Sequence, residues 1–260
     1  MYTMSVPLVT VCTPTYNRRF SMKFSLMVML KQTHSRIRWI IIDNSDDDEK
    51  SWEPITKEEH NSVEIVYHRI SDEKKPIGWM RNKCIDEAMK YSDAKYIAFW
   101  DDDDYYPSQR LAKSVEALEK NPSKDIVGTD VMPVFISEEN VLMEVGPYGT
   151  NHATASCWFF RASITSSRRF NDKDIKAEEG SFTRDWTLPM IMLPNTDIIM
   201  VIGHPHNTVS KRQMVENPQR FAGALKNTAN AKNILRFQWF RDRELWDCFC
   251  KTFLPASGGL

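Results

Sequence analysis

Tyr96-Ile97-Ala98-Phe99-Trp100 runs straight into Asp101-Asp102-Asp103-Asp104, and the reading of this stretch decides the fold. The apolar residues are β-branched or aromatic, follow the polar Ser92-Asp93, and have the length of a short strand buried on both faces. Four carboxylates at the C-terminal end of such a strand stand where open α/β sheets keep their ligand crevice. Acids packed this closely repel one another unless a cation sits among them, and hard oxygen donors suit Mg2+ or Mn2+. An isolated acid run is more often a solvated turn. The strand before it and Tyr105-Tyr106-Pro107 after it favour a metal-binding turn here.

Working outward, the same arrangement recurs. Residues 6–12 read as a first strand that ends at the polar loop Thr13-Pro14-Thr15-Tyr16-Asn17-Arg18-Arg19, because Pro14 cannot continue a sheet. Residues 20–33 carry a helical pattern, with Phe20, Phe24, Met27, Leu30 and Lys31 marking one face at spacings of three and four. A second strand, residues 38–42, delivers Asp43-Asn44-Ser45-Asp46 at its end. Residues 63–68 alternate as a third strand, and residues 77–91 form a helix with Met80, Cys84, Ala88 and Tyr91 on one side. A helix over 108–120 stops at Asn121-Pro122. Shorter strands follow within 126–143, at 157–161 and at 197–201, and residues 216–250 return to helix. Strands alternating with helices predict an α/β fold with a mainly parallel sheet.

The chain has 260 residues, 42% hydrophobic and 27% charged, which suits one large α/β domain with a C-terminal extension. Its 34 basic and 35 acidic residues leave a net charge of −1 and give no support to nucleic acid or an anionic membrane as main partner. No run approaches the roughly 18 apolar residues of a transmembrane segment, and Met1-Tyr2-Thr3-Met4-Ser5 lacks a secretion-signal pattern. Cys12, Cys84, Cys157, Cys248 and Cys250 are scattered, mostly in apolar segments, and read as reduced core residues without zinc spacing.

Taken in order, four motifs resemble the family-2-like glycosyltransferases of the GT-A fold, including related enzymes encoded by large DNA viruses. They are Thr13-Pro14-Thr15-Tyr16-Asn17-Arg18, Asp43 after strand two, Gly78-Trp79-Met80-Arg81-Asn82 opening a helix, and Phe99-Trp100-Asp101-Asp102-Asp103-Asp104. The likeness covers roughly residues 6–210. It implies a GT-A (Rossmann-like) mixed, mainly parallel sheet flanked by helices, with a helical C-terminal extension. It also implies a metal-dependent inverting transferase that uses Mn2+ or Mg2+. Such an enzyme moves a sugar from a nucleotide-sugar donor, here expected to be a UDP-sugar, to a glycan or other hydroxyl acceptor.

The same resemblance assigns residues. Thr15, Tyr16 and Arg18 fall in the donor loop, with Tyr16 against the uracil ring. Asp43 matches the acid that accepts from the base N–H, although Asp-Asn-Ser is also turn chemistry. Arg81 would reach the base or the phosphates. In the family's Asp-x-Asp pattern Asp101 meets the ribose and Asp103 the divalent ion. Because four acids leave the register open by one, Asp102, a donor contact, is also a rival ligand.

Inversion needs a carboxylate to take the acceptor proton. The resemblance places it in a Glu-Asp-like dipeptide at a helix start, and Arg184-Asp185-Trp186 is the best match, which nominates Asp185. Glu178 and Glu179 stay open as alternatives because Arg184 stands where an acid is common, and Asp185 would equally cap a helix starting at Trp186. The family's His-x-x-Asn spacing falls on His204, favoured over His206 as the ion's further ligand. Acceptor contacts are expected in residues 151–156, with Trp158 or Trp186 stacking on a sugar.

The expected division is 1–215 for the transferase domain, with 1–120 binding nucleotide and 121–215 binding acceptor, and 216–260 for the helical extension. A cytoplasmic location, of the cell or of an infected host cell, is expected. Two rivals remain. A sugar-phosphate nucleotidyltransferase usually carries a glycine-rich loop after strand one, and residues 13–18 hold no glycine. A non-catalytic nucleotide-sugar-binding module would keep the pocket without turnover.

Overall fold

The computed structural model describes residues 6–52, 63–71, 73–207, 210–216 and 231–254. Four parallel strands come first: β1 (Val9–Thr15), β2 (Ile37–Asp43), β3 (Val63–Arg69) and β4 (Tyr96–Phe99). They are followed by β5 (Ile126–Gly128), β6 (Met132–Ile136), β7 (Val141–Val145), β8 (Phe159–Arg161), β9 (Met190–Met192) and β10 (Val201–Gly203). A seven-stranded sheet runs β3-β2-β1-β4-β8-β5-β9, with β8 antiparallel to both neighbours, and a three-stranded sheet runs β10-β6-β7. The main sheet is therefore mixed and mainly parallel, and strands from both sides of residue 120 share it.

The helices are α1 (Arg19–Leu30), α2 (Ile77–Ala88), α3 (Arg110–Lys120), α4 (Glu179–Thr183), α5 (Asn195–Ile198), α6 (Arg212–Glu216), α7 (Ala231–Ile234) and α8 (Arg243–Phe253). Every residue of β4 is fully buried, as an unbroken apolar strand must be when both faces of the sheet are covered.

Three sequence expectations change. β1 does not stop before Pro14 but continues to Thr15, with Pro14 in register with Ile42. Pairing of β1 with β4 ends at Cys12 and Phe99, so Pro14 has a neighbour on one side and its missing N–H costs no ladder bond. α1 buries Met22, Ser25, Val28 and Met29 as well as Phe24, while Phe20 is 37% exposed. Residues 197–198 are helical rather than extended, because Pro194 opens the short α5 and only residues 201–203 pair as a strand.

The C-terminal region packs back on the domain; residues 217–230 of the expected helix lie outside the described residues. α8 is N-capped by the Asp242 side chain, which accepts from Leu245 N at 3.0 Å, and Lys31 at the end of α1 pairs with Asp242 at 2.6 Å. Phe249 and Phe253 lie 6.0 and 5.2 Å from the Phe24 ring. The five cysteines are free thiols. Among the described residues no helix is long and apolar enough to cross a membrane.

Candidate active site

The turn after β4 is fixed from three directions. Asp101 N donates to the Tyr106 hydroxyl at 2.7 Å, and the buried Arg110 donates to the carbonyls of Phe99 and Ser156 at 2.7 and 3.0 Å. Tyr105 and Met200 exchange backbone hydrogen bonds at 3.0 and 2.9 Å, and Asp104 Oδ1 accepts from Ile202 N at 3.0 Å. The acid run is thereby zipped to the segment that carries His204. Asp102 and Asp104 turn inward, 5% and 4% exposed, whereas the Asp101 side chain keeps 31% of its surface. Burial and the charge of Asp103 push the Asp102 and Asp104 carboxyls well above the usual carboxylate range.

Asp103 behaves differently. Burial alone would raise it, but the hydrogen bond from His204 and the charge of Arg18 outweigh burial and hold it below the usual range. His204 Nε2 lies 3.0 Å and Asn207 Nδ2 3.2 Å from Asp103 Oδ2. His206 is exposed, its ring 5.0 Å from Phe20 and 6.1 Å from the His204 ring. Two donors 3.0 Å apart match neighbouring corners of an octahedron with bonds of about 2.1 Å. Among the described residues no cluster of three or more His, Cys, Asp or Glu is arranged to hold a metal ion. The pair thus offers two ligands and would leave the other positions to substrate oxygens and water, as Mg2+-type sites commonly do.

On the donor side, Thr15 donates to Asp102, and Arg18 faces both Asp102 and Asp103. The Tyr16 hydroxyl donates to Asp46 at 2.7 Å, with Lys74 Nζ 4.2 Å from the ring centre. Asp43 is 1% exposed and accepts from Ser45 N, Ser45 Oγ, Trp52 N and the Tyr67 hydroxyl, at 2.8, 2.5, 3.2 and 2.8 Å. A carboxylate has about four lone-pair positions, so these bonds fill it; a base N–H would have to displace one of them. Asp43 acts here as the knot joining β2, β3 and the loop at Trp52.

Arg81 links the acid run to α4. Its Nε donates to Glu178 at 2.7 Å and its Nη2 to Asp101 at 3.3 Å, while Nη1 is buried without a hydrogen-bond partner among the described residues. Gly78 and Asn82 explain the rest of that motif. A side-chain carbon at Gly78 would stand 2.0 Å from Asn171 O. One turn on, Asn82 brackets the 170–172 segment, bonding Phe170 O, Phe170 N and Asp172. This face of α2 therefore docks the loop that leads to Glu178.

Glu179, at the start of α4, accepts from Ala155 N at 3.0 Å; burial and then the charge of Glu178 push it above the usual glutamate range. Asp185 follows the other end of this five-residue helix. α4 ends at Thr183, and Arg184, Asp185 and Trp186 all have positive φ (51°, 53° and 64°), so no helix starts at Trp186 for Asp185 to cap. Asp185 is exposed, with its amide on Gly180 O at 2.9 Å. Trp158 is fully buried core, while Trp186 is half-buried and stacks on His152 at 3.7 Å.

Arg110 and Asn207 escaped sequence reasoning, as did the hydrogen bond by which Tyr106 holds Asp101 N. Asn207 was within reach, since it is the Asn of the His-x-x-Asn spacing itself. A lone arginine on an amphipathic helix gives no sign that the core will enclose it.

A doubly wound mixed sheet with this acid turn is the architecture of the GT-A glycosyltransferases. The crystal structure of S. aureus TarS 1-349 in complex with UDP-GlcNAc superposes with a TM-score of 0.54 at 15% identity, over 77% of this chain and 60% of that one. The mannosyltransferase PcManGT from Pyrobaculum calidifontis, in complex with GDP-Man and Mn2+, gives 0.54 at 16% identity over 79% and 58%. The chain belongs to glycosyl transferase family 2, which it matches over residues 10–140. TuaG of Bacillus subtilis strain 168, named for teichuronic acid biosynthesis, is 29% identical over 127 residues, 48% of each chain. The Escherichia coli UDP-Glc:alpha-D-GlcNAc-diphosphoundecaprenol beta-1,3-glucosyltransferase WfgD is 23% identical over 151 residues, 54% of this chain and 56% of that one. The match thus spans about half the length of these curated relatives.

Proposed function

We propose that the chain is an inverting glycosyltransferase that moves a sugar from a nucleotide-sugar donor, a UDP-sugar, to an acceptor hydroxyl as a step of glycan synthesis. The carrying observation is the Asp103–His204 pair, 3.0 Å apart at the C-terminal end of β4, with Asp101 beside it on Arg81. The name of WfgD and the TarS complex support a UDP-sugar, and the PcManGT complex supports a divalent ion.

Asp103 and His204 would hold Mn2+ or Mg2+, which when bound neutralises charge on a departing diphosphate. Asp101 accepts from the ribose hydroxyls, and the partnerless Arg81 Nη1 donates to a phosphate oxygen. Tyr16 offers its ring to the base once Lys74 moves aside. Of the acids open to the role of base, Glu179 is favoured over Asp185. It sits beside Glu178, which Arg81 ties to the acid run, and a carboxylate held above the usual glutamate range by burial and by Glu178 is a stronger proton acceptor. The acceptor oxygen bonds to the anomeric carbon as that carbon's bond to the diphosphate oxygen breaks. The hydroxyl proton passes to Glu179.

Calorimetric titration of nucleoside diphosphates and nucleotide sugars, with and without Mn2+, tests the reading on wild type and Asp103→Ala. One nucleotide should bind more tightly with Mn2+, and the gain should vanish in the variant. A folded wild type that binds none of them overturns the proposal; donor binding without transfer to any of a panel of sugar acceptors leaves a binding module.

A further inference from the structure

Arg18 is the last residue before α1, and its guanidinium reaches into the acid run. Nε lies 3.8 Å from Asp102 Oδ1, Nη2 lies 3.6 Å from Asp103 Oδ2, and Nη1 donates to the His206 carbonyl. Asp103 Oδ2 is also the oxygen that meets His204 Nε2. A divalent ion held by Asp103 and His204 would share that oxygen with a guanidinium, and the two positive charges repel.

The loop that Arg18 holds opposes the ion in a second way. His206, whose carbonyl Arg18 binds, presents its own amide to His204 Nδ1 at 3.2 Å. A histidine that ligates through Nε2 carries its proton on Nδ1 and gives it to an acceptor. Here Nδ1 faces a donor instead, while Nε2 lies 3.0 Å from both Asp103 Oδ2 and the Asn207 amide nitrogen, so the loop as Arg18 holds it lacks the acceptor that a ligating His204 needs at Nδ1. Contacts of 3.6 and 3.8 Å are longer than the roughly 2.7–2.9 Å of a direct charge-assisted bond. Arg18 balances the acids without clamping them.

We infer that Arg18 is the resident counter-cation of the acid run, and that the site admits its divalent ion only together with a nucleoside diphosphate, whose phosphates draw the guanidinium off Asp103. The inference rests on the donor-site reading above. A guanidinium pairs with phosphate as well as with carboxylate, so it exchanges one anion for another at little cost. The diphosphate brings the oxygens the ion needs beyond Asp103 and His204, and with them the anion that Arg18 needs. Loss of the Arg18–His206 bond frees the loop to present an acceptor to Nδ1.

The test measures free Mn2+ by electron paramagnetic resonance with the whole chain, with and without UDP, for wild type, Arg18→Gln and Arg18→Lys. Wild type should bind Mn2+ weakly alone and about tenfold or more tighter with UDP. Arg18→Gln should bind Mn2+ alone about tenfold more tightly than wild type and lose most of the gain from UDP. Arg18→Lys, which keeps the charge, should bind Mn2+ alone as weakly as wild type. Circular dichroism confirms the fold of each. The inference is overturned if folded Arg18→Gln binds Mn2+ alone no better than wild type. If that variant does not fold, equal Mn2+ affinity of wild type with and without UDP overturns it. Should no nucleoside diphosphate bind at all, the donor-site reading falls, while the comparison with Mn2+ alone still decides the place of Arg18.

Discussion

Arg81 donates to Glu178 across 2.7 Å, and the side chains of both residues are buried, 5% and 7% exposed. Burial alone would weaken the arginine's charge, but Asp101 and Glu178 outweigh it and raise its pKa above the usual value. The pair ties α2 to the segment that starts α4, beside the acid run.

Breaking it from one side should be costly. Arg81→Met leaves Glu178 as a buried carboxylate without its cation, a change expected to cost about 3–5 kcal/mol. Urea unfolding at neutral pH measures this. The double variant Arg81→Met/Glu178→Gln should recover part of the loss, because the buried charge of Glu178 is removed with its partner and only the partly exposed Asp101 is left without Arg81.

The acids near α4 should divide by function. Glu179→Gln is expected to lower the transfer rate by about two to four orders of magnitude, the usual worth of a general base. Asp185→Asn, at an exposed position, should leave it within about threefold, as surface changes usually stay near 0.5 kcal/mol. Donor affinity should survive in both. Equal losses would return Asp185 to the mechanism.

The pH profile carries a sign. A base works deprotonated, so with Glu179 raised by burial and by Glu178 the rate should fall as pH drops through a value above the ordinary glutamate pKa. Glu178→Gln removes the neighbouring negative charge, which lowers the Glu179 pKa and moves this acid limb to lower pH. A limb that stays put or moves upward would show that Glu179 is not the titrating group.

Phe253 of α8 lies 5.4 Å from the His204 ring and Phe20 lies 5.4 Å from it on another side. Phe253→Ala should cost about 3–5 kcal/mol as a large-to-small core change. By loosening His204 it should also weaken Mn2+ binding in the presence of UDP. Denaturation and metal titration report the two effects separately, and Phe253→Leu should restore most of the stability.

Much of the first half of the sheet was readable because β4 is an unbroken apolar run, β3 alternates as an edge strand does, and β2 and β4 end in acids. His204 was readable from its spacing to Asn207. The candidate base was harder. Glu178 and Glu179 lie in a polar stretch that reads as solvated, and what encloses them is Arg81 and the Ala155 amide, remote in sequence. A strand at 157–161 was readable, but its antiparallel insertion between β4 and β5 was hidden, since three-residue pairing leaves no register to read. Pro14 misled because the rule against proline in a sheet assumes two neighbours, and β1 has one at that height.

β8 carries one more consequence. It lies between β4 and β5 in the sheet, yet it comes from residues 159–161, beyond the 10–140 span of the family match. A fragment cut at residue 140 would keep the acid turn and lose the strand that closes the open side of β4. The bare edge of Tyr96–Phe99, apolar and unpaired, would then be a template for pairing with other chains. Insolubility of such a fragment would reflect an exposed edge, and says nothing against the first half as the seat of nucleotide binding.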